Sequence, residues 1–184
     1  MPIAVYLAGK IRKNGWRNIV APDIRAAALS ADEVYENTFT VTKIPSLITS
    51  GPYFICCDHG CYHGDGTHGV GSNDQDGCSG KGIPAGIVPT ICQLQIRRSN
   101  FVFAYIDDSS CYGTLCEIGY AIGIGRPVAV MFSRKDLSED MWFITESADM
   151  VFNKFGGLMK SGIKDTEVFN AATKIAELIA GGDT

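Results

Sequence analysis

No apolar run in the sequence reaches the roughly 18 to 20 residues that a membrane-spanning helix needs, so we expect no membrane anchor. Residues 1–6 lack the basic segment and the apolar segment of a signal peptide. Positive charge is not in excess either, because the net charge is −4, and this argues against a nucleic-acid polymer as the partner. These absences favour a cytoplasmic protein that acts on a small molecule.

A disulfide framework is also lacking, although the sequence contains seven cysteines. Their spacing is irregular and their number is odd, so free thiols in a reducing compartment explain them better than disulfides. No repeat or linker divides the chain. Its 184 residues are enough to bury one hydrophobic core, and we expect a single domain over residues 1–184.

Short apolar segments alternate with segments of helical periodicity, which is typical of a parallel sheet covered by helices. We therefore predict an α/β fold, a flavodoxin-like or Rossmann-like three-layer sandwich with a five-stranded parallel sheet in the order 2-1-3-4-5. A ligand would bind at the carboxyl ends of strands 1 and 3, where the strand order switches. Strands are predicted over residues 3–8, 53–57, 101–106, 127–132 and 149–152, and helices over 16–29, 90–98, 112–125 and a C-terminal stretch that begins after an N-cap at Asp165.

The first predicted strand runs directly into a turn that carries glycine and basic residues. Gly9 allows the backbone to approach a ligand closely, and Lys10 and Arg12 suit a phosphate or a carboxylate. Trp16, at the start of the next helix, is a further candidate for substrate binding. An ordinary solvated turn with basic side chains remains the alternative interpretation.

The segment after the strand at residues 101–106 contains an unusual carboxylate. Glu117 lies near the start of a helix whose other residues are nearly all apolar. A charged residue in such surroundings is either solvated at the rim or retained for function. The alternative is structural, because Thr114 and Glu117 also have the spacing of a capping box at a helix N-terminus.

The sequence from Tyr6 to Gly9 and the pattern Gly113-Thr114-x-x-Glu117-x-Gly119-x-Ala121 resemble the nucleoside 2-deoxyribosyltransferase family. That family also includes deoxynucleoside 5′-monophosphate N-hydrolases, and the similarity runs over about residues 5–152. It implies that Glu117 attacks C1′ of the sugar and forms a covalent glycosyl intermediate, as in a retaining glycosidase. It also implies that Tyr6 orients this nucleophile and that Gly113 and Thr114 belong to the substrate site.

Two positions depart from the family pattern. Cys92 and Cys111 stand where relatives carry aspartates that help to bind the sugar and the base. The departing base needs a proton, and we expect Asp107 or Asp108 to supply it. The alternative is that Asp107 and Asp108 only form a turn, for which their residue type is well suited.

A glycine-rich segment covers residues 58–89 and is too long for a simple connection in a compact domain. It is interpreted either as an ordered loop that covers the substrate or as an ordinary surface loop. We expect Asp58 and His59 to contact the sugar or the base, with His59 as a second candidate for the general acid. Its cysteines and histidines, between residues 57 and 78, do not have the usual zinc spacing, so no metal is expected.

The resemblance implies a homo-oligomer in which a neighbouring subunit completes the active site, here through Asp140 and Trp142. The alternative is that this apolar segment belongs to the core or to a plain dimer surface. It implies no organic cofactor, because the glycosidic bond itself supplies the energy for transfer. Three functions stay open. The first is deoxyribose transfer between free nucleobases; the second is N-hydrolysis of nucleoside 5′-monophosphates, which Lys10, Arg12 and Arg17 would favour; the third is nucleotide binding without catalysis.

Overall fold

A computed structural model describes residues 2–10, 15–22, 40–52, 67–68, 83–84, 88–155 and 157–182. The elements of the main sheet are β1 (Ile3–Gly9), β2 (Thr40–Val41), β3 (Leu47–Ser50), β6 (Phe101–Ile106), β7 (Val128–Phe132), β8 (Met150–Asn153) and β9 (Gly157–Ser161), and a separate pair is formed by β4 (Thr67–His68) and β5 (Ile83–Pro84). The helices are α1 (Trp16–Val20), α2 (Val88–Arg98), α3 (Tyr112–Gly123), α4 (Lys135–Asp140), α5 (Trp142–Ser147) and α6 (Thr166–Gly181).

The main sheet is mixed, with seven strands in the order β2-β3-β1-β6-β7-β8-β9. Five neighbouring strands, from β3 to β8 in this order, pair in parallel. The short strands β2 and β9 pair antiparallel at the two edges. The α/β prediction is confirmed, but the predicted five-stranded, all-parallel sheet is wrong in strand number and in overall order, because the chain turns back at both edges.

Three strands of the sheet were missed from the sequence. The strand β3 comes from the segment 30–50, which shows no clear pattern, while the predicted strand at 53–57 lies outside the described residues. The strands β2 and β9 are short and mostly exposed, so they lack the apolar run that marks a buried strand. The boundaries of β6, β7, β8, α2 and α3 lie within about two residues of their predicted positions.

Alternating side chains of β1 divide the core into two clusters, one on each face of the sheet. Val5 and Leu7 point to the face that α1 and α6 cover, and Tyr6 and Ala8 point to the face of α2 and α3. The predicted N-cap of α6 is confirmed, because the Asp165 carboxylate accepts hydrogen bonds from the backbone N–H groups of the first turn. Among the described helices, none is both long and apolar enough to cross a membrane.

The end of β1 requires glycine, and this requirement is testable. Gly9 has a φ of 156°, and a Cβ atom there would lie 2.9 Å from Trp16 Nε1 and 3.0 Å from the backbone oxygen of Tyr105. We expect Gly9→Ala to lower the free energy of unfolding by about 1–3 kcal/mol in urea titrations. Gly119→Ala is the control, because its Cβ would meet no atom within 4 Å. Because Gly119 lies within a helix, Gly119→Ala should increase the free energy of unfolding by about 0.5–1 kcal/mol. Equal effects of the two substitutions would contradict the steric account.

Candidate active site

A cavity of about 630 Å³ opens where β1 ends, between α2 and α3. One wall of the cavity is formed by Gly9 and Lys10 and by the turn that leads from β6 into α3. The other walls come from one face of α2 and from the first three turns of α3. The cavity therefore lies at the carboxyl ends of two adjacent parallel strands, which is where open α/β sheets bind ligands.

Glu117 faces this cavity from the second turn of α3. Thr114, Ile118 and Ala121 are buried and anchor the helix to the sheet, and Glu117 lies on the same side because it is three or four residues from Thr114 and Ala121. The N-cap of α3 is Cys111, so Thr114 lies inside the helix and the capping-box interpretation is wrong.

The hydroxyl group of Tyr6 donates a short hydrogen bond to Oε1 of Glu117. Tyr6 is fully buried in the middle of β1, so its ring has little freedom to turn away. Cys92, on α2, is buried and lines the same cavity. The strand β1 and the helix α3 thus hold one carboxylate at the wall of the cavity.

Burial is the largest influence on the ionisation of Glu117, and it raises the pKa of this carboxyl group to about 7. The hydrogen bond from Tyr6, the positive charge of Arg17 and the Cys92 thiol oppose this increase. Burial also raises the pKa of Tyr6 well above its usual range, so Tyr6 remains a proton donor at neutral pH. A carboxylate that is desolvated and yet still accessible through the cavity is a strong candidate for a chemical role.

Asp108 is held as an ion by Lys10 and Ser110, two residues that line the cavity. Its Oδ2 accepts a hydrogen bond of 2.7 Å from Lys10 Nζ, and its Oδ1 accepts bonds of 2.8 Å from the backbone N–H and the hydroxyl group of Ser110. These bonds hold the pKa of Asp108 well below its usual range. Asp108 is therefore unsuited to protonate a leaving base. Among the described residues that line the cavity, Glu117 is the only carboxylic acid.

Arg17 and Trp16 have structural roles that the sequence did not indicate. The Arg17 guanidinium is buried and donates hydrogen bonds to the backbone oxygens of Leu7, Gly9 and Lys10 at 3.0, 2.6 and 3.3 Å. It therefore fixes the end of β1, which is a different role from the expected contact with a substrate phosphate. Trp16, which was expected to bind substrate, is buried in the core on the opposite face of the sheet and does not line this cavity.

The remaining expected site residues divide into three groups. Gly113 and Thr114 line the cavity with Glu117, as do the two positions of departure, Cys92 and Cys111. Asp107 follows β6 but does not line the cavity. Asp140 lies in α4 and Trp142 in α5, and neither lines this cavity. The remaining expected residues lie outside the described residues: Arg12, Asp58 and His59.

Several lining residues were not expected from the sequence. Pro52 follows β3, and Val88, Pro89, Gln93 and Ile96 come from α2. The spacing of Gln93 and Ile96 by one helical turn is visible in the sequence, but it becomes informative only when the face of α2 that meets the sheet is known. Within the described part of the chain, no three His, Cys, Asp or Glu side chains are placed to hold a metal ion, and the cysteine- and histidine-containing segment 57–78 lies almost wholly outside that part.

Comparison with known proteins adds no assignment: no family profile matches the chain, and no curated protein is significantly similar to it. The geometry of the cavity is therefore the basis for a functional proposal.

The ionisation of Glu117 should be visible in the stability of the fold. Because burial raises its pKa from 4.5 to about 7, the wild-type protein loses stability as the pH rises through this interval and the folded state gives up its proton. The glutamine of Glu117→Gln cannot ionise. The free energy of unfolding of this variant minus that of the wild type should therefore increase by up to about 3 kcal/mol between about pH 4.5 and pH 8. Urea titrations at several pH values measure the difference.

The matched control is Glu177→Gln, on the solvent-exposed side of α6. Its difference from wild type should stay nearly constant over the same pH range. If the Glu117→Gln difference is equally flat, the Glu117 carboxyl group ionises normally and the account of its burial is wrong.

Proposed function

We propose that the protein cleaves the N-glycosidic bond of 2′-deoxynucleosides and transfers the deoxyribosyl group to another nucleobase, by the chemistry of the nucleoside 2-deoxyribosyltransferases. One observation carries the proposal: the Glu117 carboxylate, held by Tyr6, is desolvated at the wall of an open cavity at the carboxyl ends of β1 and β6. A retaining glycosyl transfer needs a carboxylate that is oriented and only weakly solvated.

The proposed reaction consists of two displacements at C1′ of the sugar. A carboxylate oxygen of Glu117 forms a bond to C1′ while the bond from C1′ to the base nitrogen breaks, and the base leaves with that electron pair and takes up a proton from water. A nitrogen of the incoming base then attacks C1′ and gives up its proton to water, the ester bond to Glu117 breaks, and the carboxylate is regenerated. Tyr6 keeps the carboxylate oriented through both steps, because its hydroxyl group donates to Oε1.

The shape and composition of the cavity support a nucleoside as the substrate. Its volume of about 630 Å³ lies within the usual range of small-molecule sites. Val88, Pro89 and Ile96 give the α2 side an apolar wall on which a flat nucleobase can pack. Ser110 and Thr114 supply hydroxyl groups on the α3 side, where sugar hydroxyls can form hydrogen bonds.

The second candidate is N-hydrolysis of a nucleoside 5′-monophosphate, in which water replaces the incoming base. Lys10 favours it, because this cation lines the cavity. Two observations favour the first candidate instead: Lys10 already forms an ion pair with Asp108, and the Arg17 guanidinium is occupied by backbone oxygens. Nucleotide binding without catalysis, the third candidate, predicts that the wild-type protein turns over no nucleoside or nucleotide and that replacement of Glu117 leaves the affinity unchanged.

An oligomer belongs to the same proposal. Trp142 and Phe143 are about two-thirds exposed, and their rings contact each other edge to face at 5.8 Å. Large exposed rings of this kind are typical of surfaces that another protein covers. We propose that a second copy of the chain covers them, in agreement with the expected contribution of Asp140 and Trp142 to a neighbouring site.

Chromatography of the products tests the function directly. With a deoxynucleoside and a second free base, the wild-type protein should form a new nucleoside, and Glu117→Gln should reduce the rate by at least about a thousandfold because the nucleophile is lost. Glu177→Gln should retain the wild-type rate, since this residue lies on α6, away from the cavity. Release of base from 5′-monophosphates alone would establish the hydrolase, and full activity of Glu117→Gln would disprove the proposed nucleophile.

The pH dependence of kcat/KM should report the ionisation of Glu117. Only the carboxylate attacks, so kcat/KM should rise with pH through a pKa of about 7 in the free protein. The Tyr6 hydrogen bond lowers this pKa, so Tyr6→Phe should move the acidic limb to higher pH and reduce activity most at low pH. Steady-state kinetics between about pH 5 and pH 9 measure both profiles. An unchanged limb in Tyr6→Phe would show that the hydrogen bond does not control the nucleophile.

A further inference from the structure

The side chain of Tyr120 bridges the two helices that enclose the cavity. Tyr120 lies on α3 about one helical turn after Glu117, on the same side of the helix, and it lines the cavity. Its hydroxyl group accepts a short hydrogen bond from Nε of Arg97, which lies in the last turn of α2. The phenol group therefore extends from α3 towards α2, at the wall of the cavity that also holds the proposed nucleophile.

The direction of this hydrogen bond leaves the hydroxyl proton of Tyr120 available for a ligand. A guanidinium group only donates hydrogen bonds, so the phenol oxygen is the acceptor. Within the described part of the chain, no group accepts the hydroxyl proton of Tyr120. This half-buried tyrosine can therefore donate its proton to a group that is bound in the cavity.

Arg97 places a positive charge beside the phenol group. Its Cζ atom lies 5.8 Å from the centroid of the Tyr120 ring, and none of the carboxylates that the structure describes forms an ion pair with it. Arg126 holds the backbone at this position, because its Nη2 donates a hydrogen bond of 2.8 Å to the carbonyl oxygen of Arg97. A fixed positive charge thus lies where negative charge develops when Tyr120 gives up its proton.

The departing base needs a proton, and the carboxyl groups near the cavity do not suit this step. Glu117 is the proposed nucleophile and must be ionised when it attacks. Asp108 is held as an ion by Lys10 and Ser110. Tyr120 is an acid on the same side of α3 as Glu117, and no other step of the proposed mechanism uses it.

We propose that Tyr120 is the general acid of the reaction, a catalytic residue through which the proton from water reaches the departing base. The inference rests on the proposed function. As the bond from C1′ to the base nitrogen breaks, the hydroxyl proton of Tyr120 passes to a nitrogen of the base. The phenolate that remains beside Arg97 then takes up a proton from water. Arg97 is a positioning residue, because its hydrogen bond orients the phenol oxygen.

The competing interpretation is that the contact between Tyr120 and Arg97 only joins α2 to α3. A pair of substrates separates the two roles. The first substrate is the deoxynucleoside that the wild-type protein turns over fastest. The second is a derivative whose base leaves with less help from an acid, which is the N7-methylated form of a purine nucleoside or the 5-fluoro form of a pyrimidine nucleoside. A structural defect lowers both rates by the same factor, whereas the loss of an acid lowers mainly the first.

The measurement is kcat/KM of each variant with both substrates. Tyr120→Phe keeps the ring and should lower the rate with the first substrate by about a hundred- to thousandfold, and with the second by about tenfold at most. Arg97→Met should show the same preference with a smaller loss. Tyr105→Phe is the matched control, because Tyr105 is buried on the opposite face of the sheet and does not line the cavity. It should leave the ratio of the two rates at its wild-type value.

The two proposals fail in different ways. If the wild-type protein turns over its substrate and Tyr120→Phe keeps the wild-type ratio of the two rates, the acid role is overturned and the proposed function stands. A selective loss in His59→Gln instead of Tyr120→Phe would likewise assign the acid to His59. If the wild-type protein turns over no nucleoside or nucleotide, the proposed function fails and this role fails with it. Should Tyr120→Phe not fold, Arg97→Met decides, and equal losses with both substrates would contradict the inference.

Discussion

The burial of one carboxylate is the constraint on which the arrangement of this cavity depends. Taking Glu117 out of water is unfavourable unless it has a hydrogen-bond donor, and the fold supplies the hydroxyl group of Tyr6 from β1. Arg17 adds a positive charge from the other side of β1 and at the same time holds the backbone at the end of that strand. Because Gly9 has no Cβ atom, Trp16 can pack closely against the end of β1.

The same constraint links stability to the proposed function. A pKa of about 7 means that ionisation of Glu117 works against folding under the conditions in which a nucleophile is needed. The Tyr6 hydrogen bond and the Arg17 charge partly offset this effect and leave the carboxylate reactive, whereas full hydration would stabilise the charge and lower its nucleophilic power.

The sequence predicts this site in part. The two junctions after β1 and β6 were predictable as neighbours, because both strands are strongly apolar and parallel strands bring their carboxyl ends to one edge. The contact between Tyr6 and Glu117 was an implication of the family resemblance. The wall that α2 forms was not predictable, since it depends on how α2 packs against α3, and the packing of two helices cannot be read from either one alone. Arg17 was misassigned because its length allows it to reach either solvent or the backbone oxygens of β1. The edge strands β2 and β9 escaped prediction because they bury little apolar surface.

The central claim is that Glu117 becomes covalently bound to the sugar, and mass spectrometry of the quenched reaction tests it most directly. The protein is mixed with a 2′-deoxynucleoside in the absence of an acceptor base, acid-quenched within the first turnover and digested. The account predicts a deoxyribosyl group on the peptide that contains Glu117, formed by the wild-type protein and absent from Glu117→Gln. Turnover with the adduct on another residue, or adduct formation that persists in Glu117→Gln, would contradict it.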